Sequence, residues 1–406
     1  MTIRKRILLL FAALFAIAAP VSAAPAGWTG TWRVALAVPA GSLPFGLEVG
    51  QNGAKVSAVL LNAPERMRAE SATIDGDTLT INFPSYGSRI ELKLGADDRI
   101  SGQAFLSRSS GPAVVAVSGE RGSWRFSPKP APATANFSGR WQLAYGNPVQ
   151  FGEASFKQTG NKVSGSVQLP SGDFRYLSGE VSGNRLQLST FDGNAASLWD
   201  ATLANGTITG AVFTATGSKT GTSWTAKRAP KQAMEAVAVE KAAVKRFSFR
   251  FPDSKGRMVS LADPAYRGKV VVVTLGGTWC PNCHDEATFM GPYAAKRRAE
   301  GLEVIALQFE YGTDAARNNR LMDSFASRYK LPYPLLLAGQ PTPESSKAAL
   351  PDVGPIKVYP SRLFIGRDGT LREVHVGWAG PATGALNVKA MRDFDETVTK
   401  LLKEKA

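Results

Sequence analysis

Residues 270–286 read VVVVTLGGTWCPNCHDE, and no other stretch narrows the fold as far. Four valines in a row ending in a glycine break leave no polar face, as a strand buried on both sides of a parallel sheet requires. The turn that follows is therefore expected at a sheet's carboxyl edge. From Cys283 to Arg298, apolar and charged residues alternate at helical spacing with only Gly291-Pro292 as a break, so Cys280 is expected at or just before a helix N-terminus. Amides at a helix start favour an anion, and a thiol placed there gains thiolate character. The chain has only these two cysteines. A structural disulfide gains most by closing a long loop, which a pair three residues apart does not do. The pair points instead to redox, metal or haem chemistry.

The N-terminus carries Arg4, Lys5 and Arg6, an apolar run from Ile7 to Ala19, and Val21-Ser22-Ala23 before Ala24. This is the pattern of a cleaved export signal over residues 1–23, which implies an extracytoplasmic protein, in a bacterium a periplasmic one. The apolar run is short of the roughly 18 residues a membrane helix needs, and no later segment approaches that length, so no integral membrane protein is expected after cleavage. The formal net charge of +15 falls by the three N-terminal cations and is spread along the chain among Asp and Glu. No basic block with interleaved aromatics occurs, which argues against a nucleic-acid partner.

Two stretches divide the mature chain: residues 128–136, rich in Pro and Ala, and residues 227–246, rich in Ala and Lys and expected to be a partly helical linker. The segments 24–127 and 137–226 resemble each other. Gly30-Thr31-Trp32 is echoed by Gly139-Arg140-Trp141, Gln51-Asn52-Gly53 by Gln158-Thr159-Gly160, and Ile100-Ser101-Gly102 by Ile208-Thr209-Gly210, at an offset near 107 residues that marks a duplication. Short alternating runs with Gly-containing turns every 8 to 12 residues predict two all-β domains, antiparallel barrels or sandwiches. Trp32, Trp124, Trp141, Trp199 and Trp224 are candidates for core packing, with the lining of a binding cavity as the alternative.

In residues 247–406 strands alternate with helices, the pattern of an α/β domain. Phe247-Ser248-Phe249, Gly256-Arg257, Tyr266-Arg267-Gly268-Lys269, Trp279-Cys280-Pro281-Asn282-Cys283, Glu286 and Val358-Tyr359-Pro360-Ser361 occur there in order. This set resembles exported thioredoxin-like thiol–disulfide oxidoreductases of the TlpA/ResA type. The resemblance implies a redox-active Cys280–Cys283 disulfide and no other cofactor. Cys280 attacks and Cys283 resolves. By the same resemblance Pro360 is expected in the cis form beside the dithiol, an ordinary turn proline being the alternative; Tyr359 would offer its main chain to an extended substrate, and Trp279 would form a wall of the substrate site. Glu286 matches the family's acidic residue and could carry the resolving thiol's proton if burial raises its pKa; a helix-dipole partner is the alternative. The partners implied are exported proteins with disulfides or thiols, and a membrane-embedded electron donor.

The chain departs from the family at Thr274, where relatives have a buried Asp or Asn, at Leu275-Gly276-Gly277, whose glycines are expected to widen the surface beside Cys280, and at Thr288, where a helix-kinking proline is common. His284 completes a literal Cys-x-x-Cys-His haem-attachment pattern. Its other readings are a cation near the thiols or a solvated helix residue. His375, alone in a strand, is expected to be structural, and the spacing of Cys and His is poor for a metal. Three functions follow: a disulfide reductase, a ligand-binding protein whose β-domains do the main work, and a haem electron-transfer protein.

Overall fold

A computed structural model describes residues 27–95, 97–230, 238–241 and 246–405. The expected export segment lies outside the described residues, as do residues 231–237 and 242–245 of the second linker. The first β repeat is one antiparallel sheet of β1 (Gly30–Val38), β2 (Gly41–Asn52), β3 (Lys55–Asn62), β4 (Glu65–Arg68), β5 (Ser71–Asp75), β6 (Thr78–Phe83), β7 (Ser88–Leu94), β8 (Arg99–Leu106) and β9 (Ala113–Arg121), in the order β4-β3-β2-β1-β9-β8-β7-β6-β5. Strict alternation, as in Leu79, Ile81 and Phe83 of β6, sends one face of each strand into the core. The sheet curls without closing, since β4 and β5 at its edges do not pair.

The second repeat comprises β10 (Gly139–Tyr145), β11 (Gln150–Thr159), β12 (Lys162–Leu169), β13 (Gly172–Asp173), β14 (Leu177–Ser182), β15 (Arg185–Phe191), β16 (Ala196–Ala204), β17 (Thr207–Thr214) and β18 (Thr222–Arg228). Pairing of β11 with β12 closes eight of these strands into a barrel, with β13 as a short arm on β12. The duplication is visible in detail. Two-residue hairpin loops put Gly53 and Gly160 at φ 60° and 58°, a conformation glycine adopts without penalty. The Trp32 indole N–H donates to the Trp28 carbonyl at 2.9 Å and that of Trp141 to Phe137 at 2.7 Å, and Arg121 and Arg228 cover the two rings. Trp32, Trp141, Trp199 and Trp224 are core residues, while Trp124 is half-buried.

The repeats are not separate bodies. Phe191, Leu198 and Ala215 of the second repeat belong to the apolar core of the first, with Phe191 4.8 Å from Phe45. Arg125 crosses the junction, donating to the carbonyls of Leu61 and Ser189 and to Asn62 Oδ1, and burial lowers its pKa to about 9. The open side of the first sheet is thus covered by the outer wall of the second. Residues 128–136 are tied to that wall, with Thr134 N–H donating to Gly183 O at 2.8 Å.

The third region holds β19 (Ala238–Lys241), β20 (Arg250–Pro252), β21 (Met258–Ser260), β22 (Val270–Gly276), α1 (Pro281–Arg297), β23 (Leu302–Phe309), α2 (Ala315–Tyr329), β24 (Leu335–Gly339), α3 (Pro343–Ala349), β25 (Ser361–Ile365), β26 (Leu371–Val376) and α4 (Ala385–Leu402). Its main sheet runs β19-β26-β25-β22-β23-β24, with β22, β23 and β24 parallel and the rest antiparallel. Val271, Val273 and Leu275 enter one core, Val270 and Val272 the other with Phe394 and Val398 of α4. That is the two-faced burial the valine run requires. The second linker departs from expectation. Its first residues, 227 and 228, finish β18, and residues 238–241 form a strand rather than a helix, because β26 presents a free edge whose main chain needs a partner. Among the described residues no helix is long and apolar enough to cross a membrane.

Candidate functional site

Where β22 ends, the chain turns through Gly276-Gly277 and enters α1 at Cys280, its N-cap, with Pro281 as first helical residue. The Cys283 N–H donates to Cys280 Sγ at 3.3 Å, and the Cys280 thiol donates to the Tyr359 carbonyl at 3.5 Å. Both cysteines are free thiols, 3% and 5% exposed. The Tyr359–Pro360 bond is cis. Cys283, one turn into the helix, has its pKa pushed well up by burial, then by its hydrogen bond with Cys280 and by the negative charge of Cys280 and Glu286, against the Gly277 amide. It is held as the neutral thiol, whereas Cys280 meets the amide-rich end of the helix.

Trp279 lies beside the pair, its indole donating to Phe309 O at 2.8 Å, stacked on Tyr311 and edge-on to Tyr359. This corrects the expectation that Gly276 and Gly277 widen the surface. A Cβ on Gly277 would stand 2.2 Å from the indole nitrogen, and one on Gly276 3.3 Å from Cys283 Sγ, so both glycines make room for groups that fill the space. Thr274 is buried in β22.

Glu286 is buried, and its Oε1 receives Arg362 Nη1 at 2.7 Å. Burial raises its pKa while the Arg362 charge and hydrogen bond pull it down. Neither earlier reading named this partner. A lone Arg inside the apolar strand 361–365 was the available signal, since a buried guanidinium needs a carboxylate. Glu310 was also missed. It accepts from Thr278 N and Oγ1, both at 2.7 Å, and burial raises its pKa to about 7 against those bonds.

His284 is neither a cation nor solvated. It is 2% exposed, and burial, with Arg328 and Arg175 nearby, pushes its pKa well down. The Thr278 carbonyl can only accept, so Nε2 carries the proton and donates to it at 2.7 Å; Nδ1 then accepts from the Tyr329 hydroxyl at 2.7 Å. Tyr86 of the first repeat stacks on the ring at 3.7 Å. His375 is also buried, bonded to Glu373. Among the described residues no three His, Cys, Asp or Glu side chains form a group that could hold a metal ion.

The β repeats reach the Cys-x-x-Cys turn and the start of α1. Arg175 donates to Asp285 Oδ1 and to Glu65 Oε1, each at 2.7 Å, and Asn282 donates to Asp173 Oδ2 at 3.1 Å. Asp285 has its pKa pushed up to about 7, chiefly by burial and further by Asp173 and Glu65, while Arg175 opposes.

A dithiol capping the first helix after a central parallel strand, facing a cis-proline loop, places the C-terminal region in the thioredoxin-like class. Residues 238–383 carry a Redoxin domain, leaving both β repeats outside the match. The thiol-disulfide oxidoreductase ResA of Bacillus anthracis is 29% identical over 131 residues, 32% of this chain and 66% of that protein. The thioredoxin-like protein YneN of Bacillus subtilis is 28% identical over 129 residues, 32% of this chain and 68% of that protein. The chain therefore spans just under two thirds of the length of the ResA relative. Among solved structures, a putative thiol:disulfide interchange protein DsbE from Chlorobium tepidum aligns with a TM-score of 0.31 at 23% identity, covering 41% of this chain and 99% of that one.

Proposed function

We propose that the protein is an exported thiol–disulfide oxidoreductase that reduces disulfides of other exported proteins through a mixed disulfide on Cys280. The observation that carries this reading is the asymmetry of the pair: both thiols are buried, but Cys280 Sγ accepts the helix-start amide of Cys283, while Cys283 has the Glu286 carboxylate nearby and is held neutral. Cys280 thiolate attacks one substrate sulfur, forming a mixed disulfide and releasing the other sulfur as a thiolate. Cys283, losing its proton, then attacks Cys280 Sγ; the second substrate thiol leaves and the Cys280–Cys283 disulfide forms. Two electrons pass to the substrate, and a reduced dithiol on a membrane-embedded donor restores the pair. Trp279, Tyr359 and Pro360 line the approach to Cys280, and Glu286 sets the field around Cys283. Export rests on the charged and apolar pattern of residues 1–23.

In the haem reading His284 would supply an iron ligand, but both its nitrogens are engaged inside the protein. The binding reading is favoured by a cavity of about 270 Å³ at the barrel, walled in part by Phe174, Thr190 and Thr214.

The test is a redox titration of the purified protein, with a Cys283→Ser variant to accumulate the mixed disulfide. One two-electron transition well below about −200 mV supports a reductase. A potential near that of strong oxidants reverses the direction, and covalent haem absorbance without free thiols refutes the exchange.

A further inference from the structure

β13 and the residues around it, 170–175, form an arm that projects from the barrel onto the start of α1. Gly172 lies so close to Asn282 that a Cβ would come within 2.6 Å of its Oδ1. Asp173 Oδ2 receives the Gly380 N–H at 2.6 Å as well as the Asn282 amide. The Pro170 carbonyl stands 2.6 Å from where a Cβ on Gly377 would be. Arg175 ends the arm at φ 55°, a left-handed conformation that a side chain adopts only when its surroundings hold it. Its two Nη atoms join Asp285 of α1 to Glu65 of the first repeat. The arm therefore grips both banks of the dithiol: Asn282 and Asp285 on the helix, Gly377 and Gly380 on the loop after β26. Farther out, the Glu70–Arg328 ion pair at 2.7 Å and the Tyr86–His284 stack fasten the first repeat to α2 and α1.

A polypeptide that brings a disulfide to Cys280 has to lay its backbone between those banks, alongside Tyr359. The seated arm already occupies one side of that path. Arm, barrel and Pro281-Asn282 enclose a cavity of about 270 Å³ that neither cysteine lines, and with the arm seated Cys280 is only 3% exposed. We infer that the arm at residues 170–175 is a specificity element, which while seated withholds the dithiol from polypeptide disulfides and leaves it to small thiols and disulfides. Reduction of a protein substrate then requires the arm to lift. The inference rests on the proposed exchange for its meaning, but the position of the arm is testable without turnover.

The experiment compares modification of Cys280, in a Cys283→Ser background, by N-ethylmaleimide and by the same maleimide carried on a polyethylene glycol chain. Two further variants displace the arm by different means. Arg175→Ala leaves the Glu65, Asp285 and Asp173 carboxylates facing one another; Gly172→Ala removes no charge, strains a backbone held at φ 139° and pushes aside the Asn282 amide that donates to Asp173. The polymer-borne reagent is expected to lag in the parent protein and to gain about tenfold or more in both variants, with the small reagent changing by less than about threefold; tenfold is about 1.4 kcal/mol in the open population. A large-to-small ratio that stays the same in both variants, or equal rates in the parent, overturns the inference. If Arg175→Ala does not fold, Gly172→Ala decides alone. Failure of the proposed exchange shows differently: N-ethylmaleimide labels Cys280, yet no disulfide substrate forms a mixed disulfide with it.

Discussion

Replacing Glu286 by Gln keeps the side chain's shape and deletes its charge. Arg362, 1% exposed, would then keep only the Gly377 carbonyl and one amide oxygen as acceptors, with its Nε already lacking a partner among the described residues. Removing one member of a buried ion pair costs about 3–5 kcal/mol. Because Gln retains an oxygen for Arg362 Nη1, about 3 kcal/mol is expected for Glu286→Gln. Arg362→Met strips the opposite charge, and Glu286, raised by burial with Arg362 as its opposing charge, escapes part of the cost by taking up a proton. The double variant leaves no unpaired charge, so the cycle should show a coupling of about 2 kcal/mol or more, measured by urea denaturation at pH 7. The same substitution reaches the dithiol. Burial, Cys280 and Glu286 together hold the Cys283 thiol up, so in a Cys280→Ser background Glu286→Gln should start alkylation of Cys283 at lower pH. Stabilities that add within about 0.5 kcal/mol, together with an unmoved alkylation profile, would refute the reasoning.

Glu310 gives a pH prediction. Its folded pKa, about 7, lies above the unfolded carboxylate value, so its contribution to stability is fully present at acid pH and is lost as pH rises through about 7. Urea midpoints should fall between pH 5.5 and 8, and Glu310→Gln should flatten that fall. Asp285, also near 7 and titrating in the same sense, supplies the slope that remains, and an unchanged slope in the variant counts against the assignment. Gly277→Ala places a methyl group 2.2 Å from the Trp279 nitrogen and 2.7 Å from Phe309 O, and should cost about 1–3 kcal/mol while shifting Trp279 fluorescence. The duplicated arginine–tryptophan contacts should be equivalent: Arg121→Ala and Arg228→Ala are each expected to lower stability by about 0.5–1 kcal/mol, and thermal melts of the two variants test the symmetry.

What the sequence made legible is what short-range pattern encodes. Four consecutive valines require two apolar faces, and β22 has them; paired glycine turns at a constant offset require equivalent hairpins, and Gly53 and Gly160 provide them. His284 shows where such reading stops. Its neutrality is set by burial, with Arg328 and Arg175 nearby, and the Tyr86 and Tyr329 rings that bury it arrive from a distant turn and helix whose packing no local periodicity records. The shared core of the repeats is hidden for the same reason. Phe191 and Leu198 fall out of phase with Leu186, Leu188, Trp199 and Ala201, which face their own barrel, so their side chains point outward into its neighbour; the sequence marks them as apolar residues on the outer face but does not say what covers them.

In the proposed exchange the charged groups distinguish the two thiols without recourse to the residues between them. Both cysteines belong to one helix, but a single turn moves the second from the amide end into a pocket with a carboxylate. Glu286 alone would make that pocket strongly hostile to a second negative charge. Arg362 offsets it, and because the guanidinium also holds Gly377 of the loop flanking Pro360, the charge balance at Cys283 is tied to the position of the loop beside Cys280. The arm at residues 170–175 rests on Gly377 from the other side. Movement of that loop therefore acts on the charge environment of Cys283 and on the arm's seat together. If the arm lifts with Gly377 and draws Arg362 from Glu286, the carboxylate faces Cys283 without its counter-charge, so Gly172→Ala should also raise the pH at which Cys283 is alkylated in a Cys280→Ser background. An unchanged profile would separate the two motions and leave the arm as a steric element only.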